Sequence, residues 1–410
     1  MRLAAIAMTG VLLGTGPALA LDPAVLEAAA AEATDGLRTV VKRLTAHRMG
    51  GRDNGTPESR RAQSELIRRL RRMADGIHGG RSFDAYLQPF VQAGQAGANV
   101  LAIVHGRERP DEYVIAGGHY DHLDSRSNAG GDCSARGAPG GELCPGATDN
   151  AAGVAVVMAI AKALRGLPEP PRRSIVLALW DAEEDGLQGS RFYVEHPLVP
   201  LEQTMAYVNF DIQGSNLLPS LSATSFSVGA ETGGSALGAF VDEAVAAERF
   251  GTLPVSYVFG QGRSDYANFV DIGHVPTVFF GDSTGPCYHT VGDTYARVDF
   301  KKLRAQSRIG FRVVTALAEA AGRPPFRGPN PLLASFTDAL SIEAVFRRAE
   351  PDIPVLFPPP DQVILRGIQT DLAAVVGAGP GAFDGAAVAT VLGAALQGIG
   401  AIGRLPCGAF

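Results

Sequence analysis

Three short apolar runs, each stopping abruptly at a histidine or an acid, restrict what this chain can fold into more than any other feature. Tyr113-Val114-Ile115-Ala116 breaks into Gly117-Gly118-His119-Tyr120-Asp121-His122. The run 175–180 gives way to Asp181-Ala182-Glu183-Glu184-Asp185, and the run 207–210 to Asp211. Apolar runs of this length bounded by such breaks read as buried strands. In open α/β sheets ligands bind in the crevice outside the carboxyl ends of the strands. Histidine, glutamate and aspartate at three such ends therefore point to metal or catalytic chemistry.

The surrounding sequence supports an α/β reading. Strands are expected over 83–91, 99–105 and 275–280 as well, with a turn through Arg109-Pro110-Asp111 leading into the run at Tyr113. Helices are expected from Asp22-Pro23, from Thr56-Pro57-Glu58 to about 73, over 150–164 with Asp149 as cap, and over 234–249, 265–271 and 300–321. Strands alternating with helices imply a largely parallel sheet covered on both faces. The arginines of the second helix fall opposite the stripe Ala62, Leu66, Ile67 and Leu70, which reads as a solvated face. With a net charge of −6 and no basic stripe, nucleic acid is not an expected partner.

Residues 1–20 have the form of a secretory leader: Met1-Arg2-Leu3, an apolar core over 3–13, then Ala18-Leu19-Ala20 as an A-x-A cleavage site. That core is shorter than the ~20 residues a membrane anchor needs. Export to the periplasm or the medium is the expectation, and it suits the even count of four cysteines. Cys133 with Cys144 would close a short loop within the Gly-rich stretch 124–148, and Cys287 with Cys407 would tie the tail to the body. Sequence alone leaves three connectivities open. Beyond Gly322 prolines accumulate, and 323–410 reads as an appended helical extension. Its uncharged run 385–403 is as long as a membrane span but rich in Ala and Gly, and is read as a packed helix.

The candidate site residues are His119, Asp149, Glu184, Asp211 and His289, the last in Cys287-Tyr288-His289-Thr290. Singly, each has an ordinary structural explanation. Together, two histidines and three carboxylates exceed what one tetrahedral ion needs, and suit two ions sharing a bridging carboxylate, for which Asp149 is the candidate. Glu183, beside Glu184, could face a water as general base. Asp121 could hold the second nitrogen of His119, and Tyr288 could donate to a developing oxyanion.

The motifs carrying these residues, in order, are Asn99 to Val104, Gly118-His119-Tyr120-Asp121, Gly146-Ala147-Thr148-Asp149-Asn150-Ala151-Ala152-Gly153, Glu183-Glu184-Asp185-Gly186-Leu187-Gln188-Gly189-Ser190, Asn209-Phe210-Asp211 and Tyr288-His289-Thr290. In order and spacing they resemble the co-catalytic di-zinc aminopeptidases: bacterial leucyl aminopeptidases, aminopeptidase Y and the related glutamate carboxypeptidases and glutaminyl cyclases. The resemblance spans about 40–322. It implies a three-layer α/β/α fold with a mixed, largely parallel sheet, here a peptidase domain over 21–322 followed by the helical extension. It further implies one zinc on His119 and Asp211, a second on Glu184 and His289, Asp149 bridging them, Glu183 as base and Tyr288 as oxyanion donor. Gly262-Arg263-Ser264-Asp265 resembles a segment lining the substrate side, where the backbone of Arg263 would receive an α-amine. Thr148 stands where many members carry a second acid, and Asp185 where an apolar residue is common. The expected activity is removal of N-terminal residues from peptides with a free N-terminus, without membrane association. Two alternatives are a single-zinc glutaminyl cyclase and a binding domain that keeps the fold without catalysis.

Overall fold

The computed structural model describes residues 22–123, 133 and 143–410, so the expected leader and most of the loop 124–148 lie outside the described residues. Nine strands among the described residues form one mixed sheet. They are β1 Asp75–Gly76, β2 Leu87–Gln92, β3 Gln95–Val104, β4 Arg109–His119, β5 Arg173–Trp180, β6 Thr204–Phe210, β7 Thr224–Val228, β8 Gly251–Val255 and β9 Thr277–Gly281. Their order is β1-β3-β5-β4-β6-β9-β7-β8, with β2 paired to β3. β4 runs parallel to both its neighbours, β5 and β6, while β3 runs antiparallel to its neighbours and β7 is antiparallel to β9 but parallel to β8. The chain leaves β4 for β5 on one side and returns to β6 on the other. That reversal makes the carboxyl end of β4 the topological switch point, where such sheets bind ligands.

Alternation along β4 sends its side chains to two cores. Val114 and Ala116 pack under the helices Pro23–Ala33, Leu37–Leu44, Ala152–Gly166 and Phe300–Glu319. Ile115 joins Trp180, Tyr193, Tyr207 and Phe269 on the opposite face, beneath Gln188–Glu195 and Tyr266–Asp271. The arginine-rich helix Pro57–Leu70 buries Ala62, Leu66, Ile67 and Leu70, and its Arg68 and Arg69 both lie 2.8 Å from Glu65 on the outer face. A third cluster joins β7 and β8 to the C-terminal helices Phe336–Ala349, Ile353–Leu356, Pro359–Ala378 and Gly385–Gly403. Gly385–Gly403 has the length and composition to cross a membrane, yet here Val391, Ala394 and Ala401 pack one face of it into that cluster.

The structure departs from the sequence reading in three places. The segment expected as a strand over 83–91 begins with a 3-10 turn, Asp84–Tyr86, because Tyr86 turns its hydroxyl inward to the Ala74 carbonyl. β7 and β8 have no counterpart among the expected strands. β8 is a sheet edge that carries Pro254, which a central strand would not tolerate. Finally, Asp149 does not cap the following helix. Asn150 does, accepting from the Gly153 N–H at 3.0 Å and donating to the Phe210 carbonyl at 3.0 Å. A Cβ on Gly153 would lie 2.5 Å from the Phe210 carbonyl oxygen, so the close docking of this helix start on β6 requires glycine. With capping done by Asn150, the Asp149 carboxylate is left to face the strand ends.

Both expected disulfides are present, Cys133–Cys144 and Cys287–Cys407, with sequence separations of 11 and 120. Cross-linking removes loop entropy from the unfolded chain in proportion to the logarithm of loop length, at about 3–5 kcal/mol for loops of tens to a hundred residues. Denaturant unfolding of the Cys287→Ser/Cys407→Ser double variant is therefore expected to show a loss of about 2–5 kcal/mol. The Cys133→Ser/Cys144→Ser variant should lose less; equal or reversed losses would contradict this ordering.

Candidate active site

Each strand end contributes through a sharp backbone turn. Ala182 (φ 55°), between Asp181 and Glu183, Ile212 (φ 50°), directly after Asp211, and His289 (φ 54°) all lie in the left-handed region. A β-branched residue such as Ile212 is seldom found there, and non-glycine residues held there cluster at functional sites. Gly118 lets β4 pass close to β6, since a Cβ would lie 2.4 Å from the Phe210 carbonyl oxygen. The turn carrying Asp149 is clamped by Asp293, whose carboxylate accepts from the Thr148 N–H at 3.0 Å, the Thr148 hydroxyl at 2.9 Å and the Asp149 N–H at 3.1 Å.

These turns bring the candidates from β4, β5, β6 and the loop after β9 into one buried cluster. His119 Nε2 lies 3.2 Å from Asp149 Oδ1, 3.2 Å from Asp211 Oδ1 and 3.9 Å from Glu183 Oε2. His289 Nε2 lies 3.2 Å from Asp149 Oδ2 and 3.0 Å from Glu184 Oε2. Asp149 thus offers one oxygen to each histidine. On the far side of His119, Nδ1 faces the main-chain carbonyl of Asp121 at 3.2 Å and its carboxylate at 3.5 Å. Arg263 is exposed at the rim; its guanidinium donates to the Tyr288 hydroxyl at 3.0 Å, and its backbone N–H is committed to the Gly260 carbonyl.

Three participants were not singled out by sequence reasoning. His122 Nδ1 meets Glu184 Oε1 at 2.7 Å, leaving the other oxygen to His289. Asp293 holds the Asp149 turn. Arg52, fully buried, donates to the carbonyls of Leu44, Tyr120, Pro145 and Gly146, lashing the end of β4 to that same turn. The only local sign of this role is Gly50-Gly51: a Cβ on Gly51 would lie 2.1 Å from the Leu123 carbonyl oxygen.

The electrostatics divide the adjacent glutamates. Burial, together with Glu184, Asp211 and Asp265, pushes the Glu183 carboxyl well up despite nearby His119. Burial and Asp149 also act to raise Glu184, but the bond from His122 and the nearby His289 imidazole prevail and hold it at about 2. Burial pulls His289 down, yet Asp149 and Glu184 carry it up to about 10. Two neighbouring carboxyls driven in opposite directions are the mark of divided acid-base labour.

The donor set fits a divalent cation. Ligand atoms of His119, Asp149 and Asp211 lie within 4.8 Å of one another, as do those of His122, Asp149 and Glu184. His289 Nε2, although close to two carboxylates, is aligned for a hydrogen bond with neither. Nitrogen and carboxylate oxygen together suit zinc.

A model described as Peptidase family M28 matches residues 99–314, just over half of the chain. The chain belongs to this family. Its buried His/Asp/Glu cluster, able to hold a metal ion, lies within the region that the family model matches. Mouse aminopeptidase NAALADL1 is 31% identical over 264 residues, which cover 55% of this chain and 32% of that protein. A probable glutamate carboxypeptidase of Arabidopsis thaliana is 32% identical over 212 residues, covering 48% and 28%. The chain thus spans about a third of the length of these curated relatives. Among solved structures, the Legionella pneumophila LapA aminopeptidase superposes with a TM-score of 0.58 at 18% identity, covering 78% of this chain and 81% of that one. Porphyromonas gingivalis glutaminyl cyclase superposes with 0.54 at 18% identity, covering 68% and 96%. At such identities the likeness is one of fold.

Two predictions rest on the geometry of this site. Removing Arg52 takes a donor from the carbonyls of Leu44, Tyr120, Pro145 and Gly146, the last of which also accepts from the Ala151 N–H, so Arg52→Met is expected to cost about 3–5 kcal/mol in chemical denaturation; a loss under about 1 kcal/mol would contradict the lashing role. The second concerns pH. Burial, with help from Asp121, pushes Asp181 and Asp265 up to about 7. Their folded pKa lies above the unfolded value of about 4, so between the two the folded state binds more protons and stability falls as pH rises. His289 acts in the same sense, its contribution being lost as pH rises towards its folded value of about 10. In chelator the melting temperature should decline from about pH 5 to about pH 7, and Asp265→Asn should flatten the decline. A melting temperature that rises over that interval would contradict the assignment.

Proposed function

We propose that the chain is an exported aminopeptidase that removes N-terminal residues from peptides at a two-zinc centre. The observation that carries this reading is Asp149, which presents Oδ1 to His119 and Oδ2 to His289, each at 3.2 Å. A carboxylate so divided suits the bridge between two ions. On this reading His119 and Asp211 hold one zinc, Glu184 and His289 the other, and His122 fixes Glu184 from behind. The two disulfides favour an oxidising location outside the cytoplasm.

Bound there, zinc would supply Lewis-acid polarisation of the scissile carbonyl and acidify water for attack. The remaining work belongs to the chain. Glu183 takes a proton from the attacking water as the new C–O bond forms, then delivers it to the departing nitrogen as the C–N bond breaks. Burial, Asp149 and Glu184 push the Tyr288 phenol up, keeping it protonated. Because Arg263 donates to its oxygen, the phenol's own hydrogen remains for the carbonyl oxygen as negative charge develops there. Asp121 orients His119. The substrate's α-ammonium is drawn to the acidic cluster, with the Arg263 backbone carbonyl as its acceptor.

Glu183→Gln should retain metal, by elemental analysis, while turnover of aminoacyl anilides falls roughly 10²–10⁴-fold. Glu184→Gln should instead lose metal and recover partly when metal is added in excess. Acetylating the substrate's amine should abolish cleavage. Loss of metal in the first variant and not the second, or equal rates on blocked and free amines, would overturn the reading; one ion per chain at saturation would favour the cyclase.

A further inference from the structure

A cavity of about 150 Å³ opens at Glu183 and Asp211 and continues beneath the C-terminal helices. Val228 of β7, Val255 of β8 and Phe279 of β9 line it from the sheet, and Phe346, Ile399 and Ile402 from the extension. Every extension residue that lines it is apolar, and polar groups enter its lining only from the body that carries the cluster. The family match ends at residue 314, so this half of the wall lies outside the matched region. Interiors are normally close-packed, and a void costs stability. Ala395 contributes only a methyl group to its lining and Gly398 no side chain. Its far wall is also anchored to the site: Cys287, adjacent to Tyr288, is joined to Cys407, just beyond Gly385–Gly403.

We propose that the C-terminal extension forms the deep part of a side-chain subsite, selecting substrates whose N-terminal residue carries a long unbranched apolar side chain. This rests on the aminopeptidase reading. An apolar cavity of about 150 Å³ stays dry and accommodates a benzene ring, so this one exceeds what an alanine or valine side chain fills. Its course, from the acidic cluster across the strand ends to the helices, suits an extended chain anchored by its amine at the mouth. Helix 385–403, whose long uncharged run has no role in the chemistry, acquires one here as the floor of the subsite.

The test uses metal-loaded, full-length protein and two measurements. In the first, kcat/KM is determined for p-nitroanilides of alanine, 2-aminobutyrate, norvaline, norleucine and 2-aminooctanoate. Each added methylene should raise it about fourfold until the cavity is full. Ala395→Phe should lower the octanoate-to-alanine ratio at least about tenfold, whereas Ile399→Ala should move the optimum to longer chains. The second measurement is calorimetric binding of linear alkylamines from butylamine to octylamine, which needs no turnover. Affinity should climb by a similar factor per methylene and become flat in Ala395→Phe. No chain-length dependence in either measurement, or one that neither variant changes, would overturn the subsite. Failure to cleave any free-amine substrate, with the alkylamine dependence intact and variant-sensitive, would overturn the aminopeptidase reading and leave the subsite standing.

Discussion

Crowding carboxylates into one buried sheet edge is the constraint around which the rest of the molecule is arranged. Asp121, Asp149, Asp181, Glu183, Asp211, Asp265 and Asp293 are all nearly inaccessible. Among them stand the Arg52 guanidinium and the imidazoles of His119, His122 and His289. An uncompensated buried charge costs several kcal/mol, and the neighbourhood is accordingly dense with donors. Asp181 takes the N–H groups of Ala98 and Ala182, Asp293 those of Thr148 and Asp149, and Asp121 that of Glu184. These bonds offset part of the burial cost of the supporting acids, while Asp149, Asp211 and Glu184 are turned towards the histidines. A site so poor in cations is completed by metal, which couples metal binding to stability.

How much of this could be read beforehand depends on whether the signal is local. His119, Glu183, Glu184 and Asp211 announce themselves because an apolar strand stops at each, and the switch point at β4 follows from the order of runs. His289 is separated from β9 by a seven-residue loop, so its approach to Asp149 depends on backbone conformation that no periodicity encodes. Arg52 and Asp293 are less legible still. Their partners are 8 to 94 and 144 to 145 residues away, and a buried arginine or aspartate has no sequence mark distinguishing it from an exposed one. Asp149 carried a misleading local signal: it precedes a helix and resembles a cap, but Asn150 caps that helix.

The same contrast explains the edge of the sheet. β7 is five residues of alternating polar and apolar character, and β8 contains a proline, so neither has the apolar continuity that made β4, β5 and β6 visible. Edge strands need cover against pairing with other chains. Helix Phe336–Ala349 provides it: Ser341 donates to the Pro254 carbonyl, and Asp338 accepts from the backbone and hydroxyl of Ser256 immediately after β8. Asp338 also completes the capping box with Ser335 that starts this helix.

One aspartate therefore serves the helix start and the strand end at once, which fixes where the extension begins relative to the sheet. The Cys287–Cys407 bond fixes where it ends, next to Tyr288. Pinned at both ends, the intervening helices cannot slide along the edge independently of the site. Their apolar inner faces fall over β7 to β9, on the side where Glu183 and Asp211 open outward. Covering a vulnerable edge and enclosing an apolar space beside the metal cluster are then consequences of one packing arrangement. The apolar residues of the extension thereby wall the same space that Glu183 and Asp211 line.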